Sequence, residues 1–228
     1  MKKRDIIFAV IAIAFAIVYI RLGVWQLQRL VERKQLNAEL RSRAATKPVD
    51  LKELPKDTGA AHFRRVSVSG TYDYDHEIIL TNRSRNGSPG VNIVTPLRSG
   101  TDTAVLVNRG WVYAPDGMTV DASRWREPAA MKGEGYVEFF RKGHGDAKSS
   151  THPRAYRWVD SMTISQAFPY AILPYLVVLI DSAKKGENIP PRVDVPPLDE
   201  GPHKSYAIQW FSFAAISIFG VFFYLRRT

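Results

Sequence analysis

The sequence predicts a membrane protein in which two transmembrane α-helices flank a mainly antiparallel β domain, sandwich or barrel-like, with minor helix. Three observations predict it. Both ends of the 228-residue chain carry apolar runs of membrane-crossing length, and the middle is as polar as a soluble protein. Within that middle, short alternating segments sit between glycine and proline punctuation. The mean hydropathy of −0.19 averages these unlike blocks and hides the division.

Ile6 to Ile20 carries no charge, and the apolar character resumes after Arg21 with Leu22, Gly23, Val24 and Trp25. Residues 6–25 therefore read as the first transmembrane helix. Arg21 near its boundary can snorkel outward, and Trp25 suits the interfacial belt. A cleaved signal peptide begins the same way, but no small-residue cleavage site follows the run, so an uncleaved anchor is expected. Leu30, Leu36 and Leu40 recur at near-helical intervals among polar residues, which predicts a helical stalk over 26–47. Pro48, Pro55 and Gly59 then mark a connecting stretch, with one short turn of helix at Leu51 to Leu54.

The extracytoplasmic β-rich domain is assigned to 48–183. Its strands are expected around Val66 and Val68, Glu77 to Thr81, Asn92 to Leu97, Thr103 to Asn108, Gly135 to Arg141, Tyr156 to Val159 and Tyr175 to Asp181, with minor helix at Ile164 to Phe168. Asn86-Gly87-Ser88-Pro89-Gly90 reads as a turn, and Asp73 and Asp75 would share one strand face. Residues 184–202, rich in proline, form an extended lead to a second transmembrane helix over 203–225, which Arg226 and Arg227 terminate.

Lys2, Lys3 and Arg4 at one end and Arg226 and Arg227 at the other place both termini in the cytoplasm and the main domain in the periplasm. The chain enters its apolar segment at once, without an organelle transit peptide ahead of it, so the expected site is a bacterial inner membrane, crossed twice. A formal charge of +10 arises from basic residues scattered among acidic ones, without zinc-finger spacing. That pattern suits anionic membrane lipid rather than nucleic acid. The absence of cysteine excludes disulfides, thiolate metal sites and a catalytic thiol.

Catalytic signatures are missing. His76-Glu77 begins like a zinc-protease motif, but position 80 is Leu80, and His62, His144 and His152 have no partners at ligand spacing. No enzyme activity is expected. The informative histidine is His203, which opens the second helix after Pro202. His203, Tyr206 and Trp210 fall on one face near the outer membrane boundary. Two readings of that stripe stand: interfacial anchors, or an axial haem ligand beside aromatic rings.

Several segments together resemble the Surfeit locus family of cytochrome c oxidase assembly proteins. They are Leu22-Gly23-Val24-Trp25-Gln26-Leu27-Gln28-Arg29 with Lys34, Gly90 with Thr95-Pro96-Leu97, Val107-Asn108-Arg109-Gly110-Trp111-Val112, and His203-Lys204-Ser205-Tyr206-Ala207-Ile208-Gln209-Trp210-Phe211. The resemblance implies an assembly factor that binds or stabilises haem a for the oxidase catalytic subunit, working with haem a biosynthesis or assembly factors. It carries His203 (iron ligand) and Trp210 over as cofactor-binding positions. The chain departs from the family pattern at Gly201-Pro202, Lys204 and Tyr113. Arg21 or Arg29 would meet a haem propionate, and Arg29 would stack on Trp25 as a cation-π pair. The alternative is a cofactor-free membrane scaffold that binds an oxidase subunit. In the family motif Asn108-Arg109-Gly110-Trp111, Gly110 is expected to permit a turn or bulge and Trp111 to cover the core.

Overall fold

The computed structural model describes residues 3–54, 58–100, 102–140, 143–149, 152–180, 186–193 and 198–227. Positions Pro55, Arg141, Asp181 and parts of the proline-rich lead, for which connections and strand ends were expected, lie outside the described residues. The chain divides into two compact units, residues 1–39 with 197–228, and residues 40–196.

The first unit is an antiparallel helix pair. Helix α1 runs unbroken over Lys3–Ala44, and a later helix, α4, over His203–Arg227. The two are antiparallel because Tyr224 near the end of α4 meets Asp5 and Phe8 at the start of α1, whereas His203 meets Gln26. The seam has a seven-residue period. Ala9, Ala16, Leu30 and Asn37 are buried on α1, Gly23 shares their register, and Ala207, Ala214 and Val221 are buried on α4. Apolar positions repeating at that interval keep one stripe of each helix facing its partner. Small residues in it allow close approach: a Cβ on Gly23 would lie 2.7 Å from the Phe211 ring. At the end where α4 begins, Asn37 donates to the carbonyls of Leu198 and Asp199 at 2.8 and 3.1 Å, Arg33 donates to that of Asp199, and Lys34 pairs with Glu200. The chain entering α4 is thus fastened to α1 by side chains that one helix face supplies at intervals of three and four residues.

The second unit is a closed barrel. In chain order it contains β1 (Val49–Asp50), helix α2 (Thr58–Ala61), β2 (Arg65–Tyr72), β3 (Ile78–Arg85), β4 (Ser88–Arg98), β5 (Thr103–Tyr113), β6 (Ala130–Phe139), β7 (Ala155–Tyr156), α3 (Ser161–Ser165) and β8 (Ala171–Leu179). Strand neighbours run β2-β6-β8-β5-β4, and β4 returns to β2 through Thr71 opposite Arg98 and Tyr72 opposite Leu97. Five strands so close on themselves and leave no long free edge among them. β3 lines the outside of β4, and β7 lines β3. Inward-facing Val66, Val68, Leu97, Val105, Val107, Val137, Val177 and Leu179 fill the interior. The expected mainly antiparallel sheet is therefore a barrel, with one parallel pair inside it, β5 beside β8. That pair is possible because a long crossover containing β6 and α3 separates the two strands.

Two local expectations need correction. Only Asn86-Gly87 forms the turn between β3 and β4; their φ values of 51° and 79° are those of a two-residue type I′ hairpin. Pro89 and Gly90 already belong to β4, where Gly90 lies beneath the Trp111 indole and has no room for a side chain. Asp73 and Asp75 do not share a strand face. Asp73 caps a single 3-10 turn, Tyr74–His76, by accepting from the Asp75 amide, a local bond that competes with strand pairing.

Candidate functional site

The site begins at the end of the helix pair where α4 starts. Gly201 adopts a left-handed conformation at φ 72°, Pro202 follows, and His203 opens α4. Proline at the head of a helix loses no hydrogen bond, since the first amides have no partner there. His203 is half-buried, and its Nδ1 lies 2.8 Å from the Oε1 of Gln26, itself buried at 8 % exposure. Two turns further along α4, Trp210 stacks on Tyr19 with centroids 5.9 Å apart and planes 20° from parallel. Phe213 and Phe15 extend that stack on either side of Tyr19. His203 and Trp210 therefore both face α1, whereas Tyr206 is 46 % exposed on the flank.

The arginines are placed differently. Arg21, exposed on α1, is five residues from Gln26 and so roughly 140° around the helix from it. It points away from the seam that holds His203. Arg29 lies roughly 60° from Gln26, on the side away from Gly23 and Leu30. Its guanidinium bonds to the Glu32 carboxylate at 2.6 Å and makes no cation-π pair with Trp25 among the described residues, which corrects the expected stack. A carboxylate one turn along competes better for the guanidinium than a half-exposed indole does. Gln26 was visible in the sequence only as one residue of a matching segment. Its signal lies in the seven-residue register, which puts it in the seam instead of on the polar face with Gln28.

The barrel domain holds its own polar clusters. Arg109, fully buried, is the extra residue of a bulge between Asn108 and Gly110 on β5. It donates to Glu77 at 2.5 Å and Thr95 at 2.7 Å, reaches Glu127 at 3.3 Å, and lies over the rings of Tyr72 and Tyr74. Arg192 clamps the far side of Glu127 at 2.7 Å and donates to the Arg109 carbonyl. The Trp111 amide bonds to the Pro191 carbonyl, so the proline-rich segment is sewn onto β5. Trp111 itself is half-buried, its indole N–H donating to the Arg83 carbonyl. Arg109 is thus a structural residue, and Glu77, Glu127 and Arg192 were missed because their partners are far away in the sequence.

At the barrel rim a cavity of about 1280 Å³ opens beside Asp73, His76 and Arg98. Asp73 accepts from the Tyr170 hydroxyl at 2.7 Å and from His76 Nδ1 at 2.9 Å. Burial works against the Asp73 carboxylate, but these two hydrogen bonds and the His76 charge outweigh it and hold its pKa below the usual range. Burial and the same carboxylate push Tyr170 up. Because the folded Asp73 pKa is depressed, its contribution to stability is full above the unfolded value, about 3.9, and is lost as pH falls through the folded one. Wild type is expected to lose stability more steeply than Asp73→Asn below about pH 4, as read by thermal melts across an acid series. Parallel curves would refute the pairing.

The sequence model of the SURF1 family matches residues 13–215, from within α1 to within α4. The chain belongs to the SURF1 family. Relatives of this SURF1 family member include a SURF1-like protein of Monosiga brevicollis, 28% identical over 90% of the chain and 82% of the relative. Surfeit locus protein 1 of Arabidopsis thaliana is 31% identical over 83% of the chain, which spans about half, 52%, of that relative. The cytochrome oxidase assembly protein SHY1 of Saccharomyces cerevisiae is 30% identical over 45% of the chain and 28% of its own length.

Proposed function

We propose that this SURF1 family member is a non-enzymatic inner-membrane factor in cytochrome oxidase assembly, and that the outer end of its helix pair holds haem a for the catalytic subunit. Support for the assembly role comes from the family and from the name of the yeast relative. Support for membrane insertion comes from two helices of 42 and 25 residues whose apolar side chains, such as Val10, Ile208, Ile216 and Phe219, stay outside the seam. Such surfaces are at home in lipid and costly in water. With both termini cytoplasmic, the barrel lies in the periplasm.

The observation that carries the haem reading is the His203 imidazole. Its Nδ1 is occupied by Gln26, and its Nε2 has no bond among the described residues. Neutral imidazole with one nitrogen occupied and the other free is the form that ligates metal. Bound haem would supply an iron centre, and His203 Nε2 would be the nitrogen that holds it. The residues present fit that donor requirement. Trp210 and Tyr206 supply aromatic surface for a flat macrocycle. Arg29 is the better placed partner for a propionate, since an exposed ion pair such as that with Glu32 is worth at most about 1 kcal/mol and is readily exchanged. Arg21, on the opposite face, is assigned to lipid headgroups instead.

The test is to express the chain in a host that makes haem a, purify it in detergent, and compare Soret absorbance between wild type and His203→Ala. Loss of the band in the variant is expected; an unchanged band removes His203 as ligand. The second reading, a cofactor-free scaffold for an oxidase subunit, is favoured by the Tyr19–Trp210 stack, which is complete without a guest. Absence of haem from both proteins would select it.

A further inference from the structure

The bond between Gln26 and His203 carries more than packing. Gln26 Oε1, an acceptor, lies 2.8 Å from Nδ1, an arrangement that is a hydrogen bond when the imidazole proton sits on Nδ1. A neutral ring with its proton on Nδ1 has its lone pair on Nε2. The opposite tautomer keeps this contact only if the Gln26 amide turns over to donate its N–H to Nδ1. The two elements are rigid at this point: Gln26 sits in the middle of α1, with Gly23 and Leu30 packed in the seam one turn to either side, and His203 starts α4.

We propose that Gln26 is the positioning residue of the site, holding His203 in the Nδ1–H tautomer and fixing the ring plane so that Nε2 alone is presented to a ligand. The proposal rests on the haem reading for the identity of that ligand. Histidines that bind metals generally donate their other N–H to an oxygen, and loss of that oxygen weakens metal binding about 10- to 100-fold. Here the oxygen comes from the other helix, so the ligand is competent only while α1 and α4 are packed together. Either helix alone supplies half of the arrangement. Gln26 lies within the Gly23-Val24-Trp25-Gln26 segment, next to the interfacial Trp25, so a side chain grouped with surface polar residues by composition serves the buried face.

Two measurements separate failure of this proposal from failure of the haem reading. In haem-free protein in detergent, nitrogen chemical shifts of His203 at a fixed pH above 8 report the tautomer directly. Wild type is expected to show the proton on Nδ1, and Gln26→Leu a mixture of both forms. In haem titration, Gln26→Leu is expected to bind about 10- to 100-fold more weakly than wild type. Gln26→Glu, which restores a stronger acceptor, is expected to recover binding and to move the bound haem's midpoint potential negative of wild type, an effect that lost packing would not produce. Circular dichroism melts of each variant confirm that the helix pair is intact. A wild-type proton on Nε2, or unaltered haem affinity in Gln26→Leu, overturns the proposal while His203→Ala still loses haem. Retention of haem by His203→Ala with the tautomer as expected removes His203 as the haem ligand, and the ligand-presenting role falls with it.

Discussion

Arg109→Ala is expected to destabilise the barrel domain by about 3–5 kcal/mol, a large share of the stability of an ordinary domain. The guanidinium has no exposure to solvent and serves Glu77, Thr95 and Glu127 at once. Removing it leaves two nearly buried carboxylates without their common cation and opens a void between the rings of Tyr72 and Tyr74. Both changes act in the same direction, because an unpaired buried charge and an unfilled core volume are each costly. The measurement is urea unfolding of the full chain in detergent, followed by Trp fluorescence. A loss under about 1 kcal/mol would show that water reaches the cluster. Arg109→Met with Glu77→Leu, which removes the charge on both sides, is expected to recover part of the loss.

Gly110→Ala is the second large effect, expected at about 2–3 kcal/mol. Two independent obstacles meet at this residue. Its φ of 153° lies in a region that residues with a side chain rarely adopt, and a Cβ there would collide with the Pro191 carbonyl oxygen. The chain is expected to relieve the collision by releasing the 186–193 segment, since that side is held by few bonds, among them Trp111 to Pro191 and Arg192 to Glu127. Limited proteolysis should then cut within 186–193 far faster than in wild type. Cleavage at the wild-type rate, with an unchanged melting curve, would mean that β5 itself shifts instead.

Much of the local structure is legible from the residues. Val66 and Val68 mark β2 by alternation, Gly110 marks the bulge by its freedom of φ, and the uncharged run from Tyr206 to Leu225 marks α4 by length alone. What escaped is set by distance along the chain. The pairing of β5 with β8 depends on which of several valine-rich strands meet, and periodicity does not encode a partner. Glu77 was weighed as half of a metal motif when its partner was Arg109, on another strand. In the helix pair, His203 was legible from its place at the head of the helix. The residue that orients it was not, because Gln26 reads as polar surface until the seven-residue register shows it facing inward.

The position of β8 sets the order in which the barrel can be completed. β8 lies between β5 and β6, although it is the last of the eight strands to be synthesised. Until residues 171–179 emerge, β5 and β6 each present an open hydrogen-bonding edge, and the valines of the future interior line an unfinished trough. The Arg192 clamp and α4 come later still. A nascent chain would therefore carry a finished α1 long before its barrel could close, with strand edges exposed to other chains. Premature termination anywhere before residue 171 should yield aggregation-prone fragments, which makes the C-terminal quarter of the sequence the part on which the rest waits to fold.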